Sequence, residues 1–269
     1  MSWQWKKTLI IALDSALAVY LVLAVTSFNK PKEDNVVCRN VTIDIEDTQD
    51  MGFLDKKDIK DSLTKAKIYP VGKRIVDVNP RAIEDKLRKT SFVNTAQCFK
   101  TEGGEVKINI TQRTPVIRIK GNNGKDYYID DKGGIMPNSS YTSDLVIATG
   151  SISTAYAKAY LAPLALTIMD NKTWRDFIEQ INILPTGGVE IVPRVGNHII
   201  HLGELPRTKD AKGRREKVEA FMKKKMTRLY KFYKYGLSEA GWNKYSYINI
   251  EFDNQIICKK RNNTETENN

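Results

Sequence analysis

Histidine is almost missing from this chain: His198 and His201 are the only two in 269 residues. They lie three apart in HIIH, on one side of a helix but on opposite faces of a strand, and no acidic or cysteine ligand stands beside them in the sequence. Cysteine is scarce as well. Cys38, Cys98 and Cys258 are an odd number of thiols at wide intervals, which spells neither a disulfide framework nor a metal site. No G-x-S-x-G, P-loop or H-E-x-x-H occurs, so the commoner hydrolase, nucleotidase and metalloprotease designs have nothing to stand on. No cofactor and no metal are expected, and no internal repeat is visible.

Long hydrophobic runs are also few. After Lys6 and Lys7 the chain reads TLIIALDSALAVYLVLAVTS, twenty mostly apolar residues from Thr8 to Ser27. That is about the length of helix that crosses a hydrocarbon core. A cleavable signal has an apolar region of only about 7 to 15 residues and a small-x-small site, and no such site follows here. The expectation is an uncleaved transmembrane helix at 8–28, preceded by a cytoplasmic stub at 1–7 and followed by a linker at 29–35. Basic Lys6 and Lys7 keep the N-terminus inside. Asp14, within the run, reads either as a contact with another helix or as a residue tolerated near the interface. The remaining chain then works outside the cytosol. A formal charge of +11 therefore points to a membrane surface or acidic proteins and away from nucleic acid.

With 41% hydrophobic residues the exported part can fill two modest cores. VVCRNVTIDIED alternates as a half-buried strand should. FLDKKDIKDSLTKA places Leu54, Ile59, Leu63 and Ala66 at helical spacing with Asp55 as the expected N-cap, and NPRAIEDKL opens a second helix with Asn79 and Pro80. FVNTAQCF and EVKINITQ then alternate on either side of Gly103-Gly104 as a hairpin. The order is β-α-α-β-β.

Further on, GKDYYIDDKGGIMP sets Asp130 beside Asp131. Acid-base or metal chemistry needs two carboxylates that converge, whereas consecutive residues on a strand point to opposite faces. The aspartates therefore read as turn formers between Tyr127–Ile129 and Ile135-Met136. Helices are expected over 155–171 and through KTWRDFIEQINILP, and VEIVPRVGNHIIHLGE reads as a strand hairpin. Between Arg207 and Lys234 stand twelve lysines and arginines against three acids. Val218, Phe221, Met222, Leu229, Phe232 and Tyr233 recur there at helical steps, so residues 213–235 form an amphipathic helix with a basic outer face. That face is either simply solvated or contacts anionic lipid or an acidic partner, and it is expected to tolerate reversal of Lys223, Lys224 and Lys225 to glutamate. RNNTETENN at the end is polar and reads as disordered.

The β-α-α-β-β order over Val36 to Gln112 resembles the POTRA domain. Arg113 to Gly150 resembles the opening of the β-domain of the FtsQ/DivIB division proteins, through Pro115, Tyr128-Ile129-Asp130, Gly133 or Gly134, Met136-Pro137 and Val146 to Gly150. YINIEFDNQIICKK resembles that family's final strand pair, and the lysine-rich details resemble its Bacteroidetes branch. The resemblance implies an α+β architecture: one transmembrane helix, a POTRA-like domain at 36–112, a mostly antiparallel β-domain with packed helices at 113–260, and a tail at 261–269. It implies a non-enzymatic scaffold at the division septum that helps control septal peptidoglycan synthesis. FtsB- and FtsL-type proteins would add a strand at the C-terminal edge, and other division proteins would use the POTRA-like domain. The matching partner-binding positions are Glu251, Phe252, Asn254, Gln255, Ile256 and Cys258, with Asp253-Asn254 as the turn. The family often has arginine then tyrosine where this chain has Glu251 then Phe252, which alters side-chain contacts but not backbone pairing. A membrane-anchored envelope enzyme working through Asp130 or the histidines is the rival reading. A POTRA-bearing assembly factor is a third; it would need repeated POTRA units or a translocator barrel.

Overall fold

The computed structural model describes residues 3–27, 36–46, 52–101, 103–122, 124–139 and 144–261. The expected linker at 29–35 and the tail beyond Arg261 fall outside the described residues. Helix α1, Trp3–Ser27, contains the apolar run, and its segment Trp5–Val25 has a mean hydropathy of 2.3 with nearly every side chain exposed. At about 1.5 Å per residue those 21 residues reach about 30 Å, the thickness of a hydrocarbon core.

The chain divides into two compact units, Met1–Glu46 with Asp55–Thr90 and Thr95–Thr111, and Asp47–Leu54 with Ser91–Asn94 and Gln112–Asn269. The first carries β1 (Asn40–Glu46), α2 (Lys56–Lys65), α3 (Pro80–Arg88), β2 (Val93–Lys100) and β3 (Glu105–Gln112) in sheet order β1-β3-β2. β1 runs parallel to β3, pairing Ile43 with Ile108, as a crossover through two helices allows. Both helix starts follow from local chemistry. The Asp55 carboxylate accepts the Lys57 N–H at 3.1 Å, and the Asn79 amide oxygen accepts the Ala82 N–H at 3.1 Å ahead of Pro80 in the first turn. Ile59, Leu63, Ile83 and Leu87 are buried with Ile43, Val106, Ile108 and Ile110, each such side chain contributing about 1.5–3 kcal/mol. This is the β-α-α-β-β order expected from the sequence.

The second unit holds a mixed sheet of nine strands: β4 (Pro115–Gly121), β5 (Asp126–Asp130), β6 (Ile135–Pro137), β7 (Ile147–Gly150), β8 (Ile178–Ile183), β9 (Gly188–Pro193), β10 (Ile199–Glu204), β11 (Tyr245–Asn249) and β12 (Ile257–Lys260). Their order is β12-β11-β10-β9-β8-β7-β4-β5-β6. Between β7 and β8 run α4 (Thr154–Tyr156), a π-helical turn, α5 (Ala162–Met169) and α6 (Lys172–Phe177); between β10 and β11 run α7 (Arg214–Phe232), a second π-helical turn and α8 (Ser238–Ala240). Five of the eight strand pairings are antiparallel; β4 with β7, β7 with β8 and β10 with β11 are parallel. Period-two alternation sends Ile181, Ile183, Val189, Ile191, Ile200, Leu202 and Ile248 to one face, where they pack with Leu161, Leu164 and Ile168 and with Val218, Met222 and Leu229 of α7. Gln180, Asn182, Glu190, His201 and Tyr247 belong to the opposite face. Gly150 closes β7 at φ +100°, where a Cβ would lie 2.2 Å from the Ile183 carbonyl oxygen, so the approach of β7 to β8 requires glycine.

One expected helix is corrected. In KTWRDFIEQINILP the helix stops at Phe177, and Ile178 to Ile183 become β8, parallel to β7 and antiparallel to β9. Ile178, Ile181 and Ile183 are all buried in the sheet, a setting that favours β-branched side chains and overrides the short helical pattern.

Candidate functional site

The candidate catalytic residues are engaged elsewhere. Asp130 is only 3% exposed: its Oδ2 accepts Arg113 Nε at 2.8 Å, and its Oδ1 accepts the N–H groups of Lys132 at 3.1 Å and Gly134 at 2.5 Å. It therefore closes the turn from β5 to β6, in which Gly133 has φ +77°. Asp131 is exposed, and its backbone N–H donates to the Thr114 carbonyl at 3.0 Å.

The histidines also stay apart. His198 lies in the loop before β10 with Nε2 on the Tyr233 hydroxyl, while His201 lies on β10 with Nε2 3.5 Å from Glu251 Oε2 and Glu190 as its register partner on β9. Acids absent from its sequence neighbourhood are thus brought near His201 by the fold. Burial, with Arg261 nearby, holds the pKa of His198 below its usual 6.5. The unfolded chain takes up that proton first, so stability is full above about pH 6.5 and declines as pH falls below it. His198→Gln should flatten this acid limb in denaturant midpoints measured at about pH 7 and about pH 5. An unchanged slope would assign the acid sensitivity to other groups.

What the second unit does present is a sheet edge. Among the described residues β12 pairs only with β11, antiparallel, with Ile248 opposite Cys258 and Asn249 opposite Ile257. At the other end of the sheet β6 has three residues and finishes on Pro137, and Arg113 donates to the Ile135 carbonyl at 3.0 Å. Proline and a side-chain donor blunt that edge, whereas β12 carries no proline. Cys258 packs toward the helix-covered core, and burial raises its thiol pKa. Ile257 is 49% exposed, and Lys259 and Lys260 are exposed. Arg261 N–H donates to the Lys244 carbonyl at 2.9 Å, inward toward β11. Strand alternation then turns the N–H groups of Cys258 and Lys260 outward.

The expected partner-binding positions divide differently from the sequence reading. β11 ends at Asn249 and β12 begins at Ile257, so Glu251, Phe252, Asn254 and Gln255 lie on an exposed connector, not on paired strands. Ile256 precedes β12 and packs on the core, as does the Cys258 side chain. Both side chains therefore face the core.

The connector is bound down by α7. Lys225 Nζ donates to the carbonyls of Ile250 at 3.0 Å and Glu251 at 2.5 Å, and Arg228 donates to those of Ile250 at 3.2 Å and Gln255 at 3.1 Å. Lys224 pairs with Asp253 at 2.6 Å and holds that carboxyl below the usual range. The expectation that Lys223, Lys224 and Lys225 all flank the apolar stripe and tolerate reversal is thus corrected at Lys225, which is 5% exposed and whose pKa burial lowers. The signal was present, since Met222, Lys225 and Leu229 are spaced three and four apart on the apolar stripe. Much of the remaining charge is also used locally, Arg215 on Asp170, Arg207 on Glu204 and Arg214 over the Tyr160 ring.

Beside the edge, the sheet face opposite the helices carries a polar ladder. Glu190 accepts the Tyr247 hydroxyl at 2.9 Å and the Asn182 amide at 2.8 Å, and burial together with Glu190 raises the phenol pKa of Tyr247. Nothing in the one-dimensional pattern links these three residues; only the strand order does.

The comparisons agree with this architecture. None of the curated proteins compared matches the chain. A POTRA-like domain pattern matches residues 36–111, and the pattern described as FtsQ/DivIB, C-terminal related, matches residues 114–259. This second match takes in the nine-stranded sheet and more than half of the chain, which therefore belongs to the FtsQ/DivIB family of cell-division proteins.

Proposed function

We propose that the chain is a non-enzymatic scaffold of the divisome, anchored by α1 with its N-terminus in the cytoplasm and both units in the periplasm at the septum. FtsB- and FtsL-type coiled-coil proteins dock by adding a strand to β12, other division proteins use the POTRA-like domain, and the complex governs septal peptidoglycan synthesis. The observation that carries this reading is the β12 edge at the end of the nine-stranded sheet, which no other strand among the described residues pairs. An added strand gains backbone hydrogen bonds there, and alternate side chains select the partner. Ile257 and Lys259 alternate with Cys258 and Lys260, so the fitting strand sets an apolar residue against Ile257 and acids against the lysines. The same lysines discourage a second copy of β12 from pairing with itself.

A photocrosslinking residue in place of Ile257, in dividing cells, should capture an FtsB-type protein. The same probe at Ile135 on the opposite edge should not. Equal capture from both edges, or capture from Ile135 alone, would remove β12 as the docking site. A periplasm-dependent reporter fused after Asn269 should be active if the anchor is oriented as proposed.

A further inference from the structure

We infer that α7 is a cationic clasp whose Lys225 and Arg228 act as positioning residues, holding the β11–β12 connector so that β12 is presented as a preformed edge. The inference rests on the reading of β12 as the docking edge and names what sets the strength of docking there.

The connector from Ile250 to Ile256 is too long for a tight hairpin turn and lies largely exposed. Its own backbone supplies little fixation. Ile250 N–H donates to the His201 carbonyl at 2.9 Å, and Glu251 N–H donates to the Asn249 side chain at 2.8 Å. The carbonyls of Ile250, Glu251 and Gln255 instead find their donors on α7, in Lys225 and Arg228. Gln255 stands two residues before β12, so its tether fixes where the strand starts. An ammonium this deeply buried is costly unless hydrogen-bonded, and the two carbonyls meet that requirement. The Lys225 ammonium also lies 5.4 Å from the Phe221 ring centroid, and the pKa of Lys225 is lowered by the same burial. An edge fixed before binding spares the partner the ordering cost of four strand residues and their approach.

The test uses the full-length chain in detergent micelles, with Lys225→Met, Arg228→Met and the conservative Arg228→Lys. Hydrogen exchange over residues 250–260 should quicken roughly ten-fold or more in either methionine variant, since each loses charge-assisted hydrogen bonds, while β8 and β9 keep their rates. Arg228→Lys should recover part of the protection. Affinity for the soluble segment of the FtsB-type protein of the same cell should fall by a similar factor in the methionine variants and recover with lysine. Unchanged exchange at 250–260 in both methionine variants would overturn the clasp whatever happens to binding. Faster exchange with undiminished binding would overturn its link to docking. The underlying reading fails separately: bound partner must protect 257–260 in the parent protein, and absence of that protection would move the docking site off β12 with or without a clasp.

Discussion

Asp130→Ala should destabilise the nine-stranded unit by about 3–5 kcal/mol, the range for removing one partner of a buried ion pair. Asp130 accepts the Arg113 guanidinium and two turn N–H groups, and the Arg113 side chain is itself only 18% exposed. Arg113 Nη1 in turn donates to the carbonyls of Ser91 at 2.7 Å and Ile135 at 3.0 Å. Alanine would strand a desolvated guanidinium and leave the Lys132 and Gly134 N–H groups without their acceptor. Arg113→Met alone should cost a similar amount, and the double variant less than the two costs added, because the second substitution removes the charge that the first left unpaired. Denaturant unfolding of the three variants reads this coupling directly. Additive costs, or a loss below about 1 kcal/mol for Asp130→Ala, would show that the pair does not hold the turn.

The same residue shows what a sequence can convey. Gly133, Gly134 and the tyrosine-rich run before Asp130 signal a turn, and the fold has one there; that Arg113 reaches across to neutralise the carboxylate depends on a separation of seventeen residues that no local pattern encodes. The first unit was legible almost throughout, because Asp55, Asn79, Pro80 and the alternating strands are local signals of local structures. β8 was not: six residues after a short capped helix form a strand only because β7 and β9 wait on either side. Lys225 shows a third kind of difficulty. Its spacing marks it as buried, but in a run of three lysines composition outweighs position, and the carbonyls that satisfy it arrive from a connector twenty-five residues downstream. The edge itself was expected from the chain's last β-rich stretch, whereas its outward N–H groups required the register.

That register yields the second large effect. Cys258→Pro should weaken partner docking roughly ten-fold or more while the fold persists, because the lost N–H is an outward one whose hydrogen bond the partner strand alone would make, and its removal leaves a partner carbonyl unsatisfied. Lys259→Pro offers the contrast. Its N–H shares the inward direction of Arg261, toward β11, so proline there should unpair β12 and raise exchange across Tyr245–Asn249 as well. Ile256, which the sequence placed within the strand, lies before it with its side chain on the core, so Ile256→Pro would perturb packing and connector together and report on neither alone. Phe252→Ala is the side-chain counterpart: Phe252 is 47% exposed on the connector and should matter only if the partner extends past the strand. Circular dichroism and titration with the FtsB-type segment would separate these cases. If Cys258→Pro stays folded and binds as tightly as the parent, backbone pairing at β12 is not how this chain holds its partner.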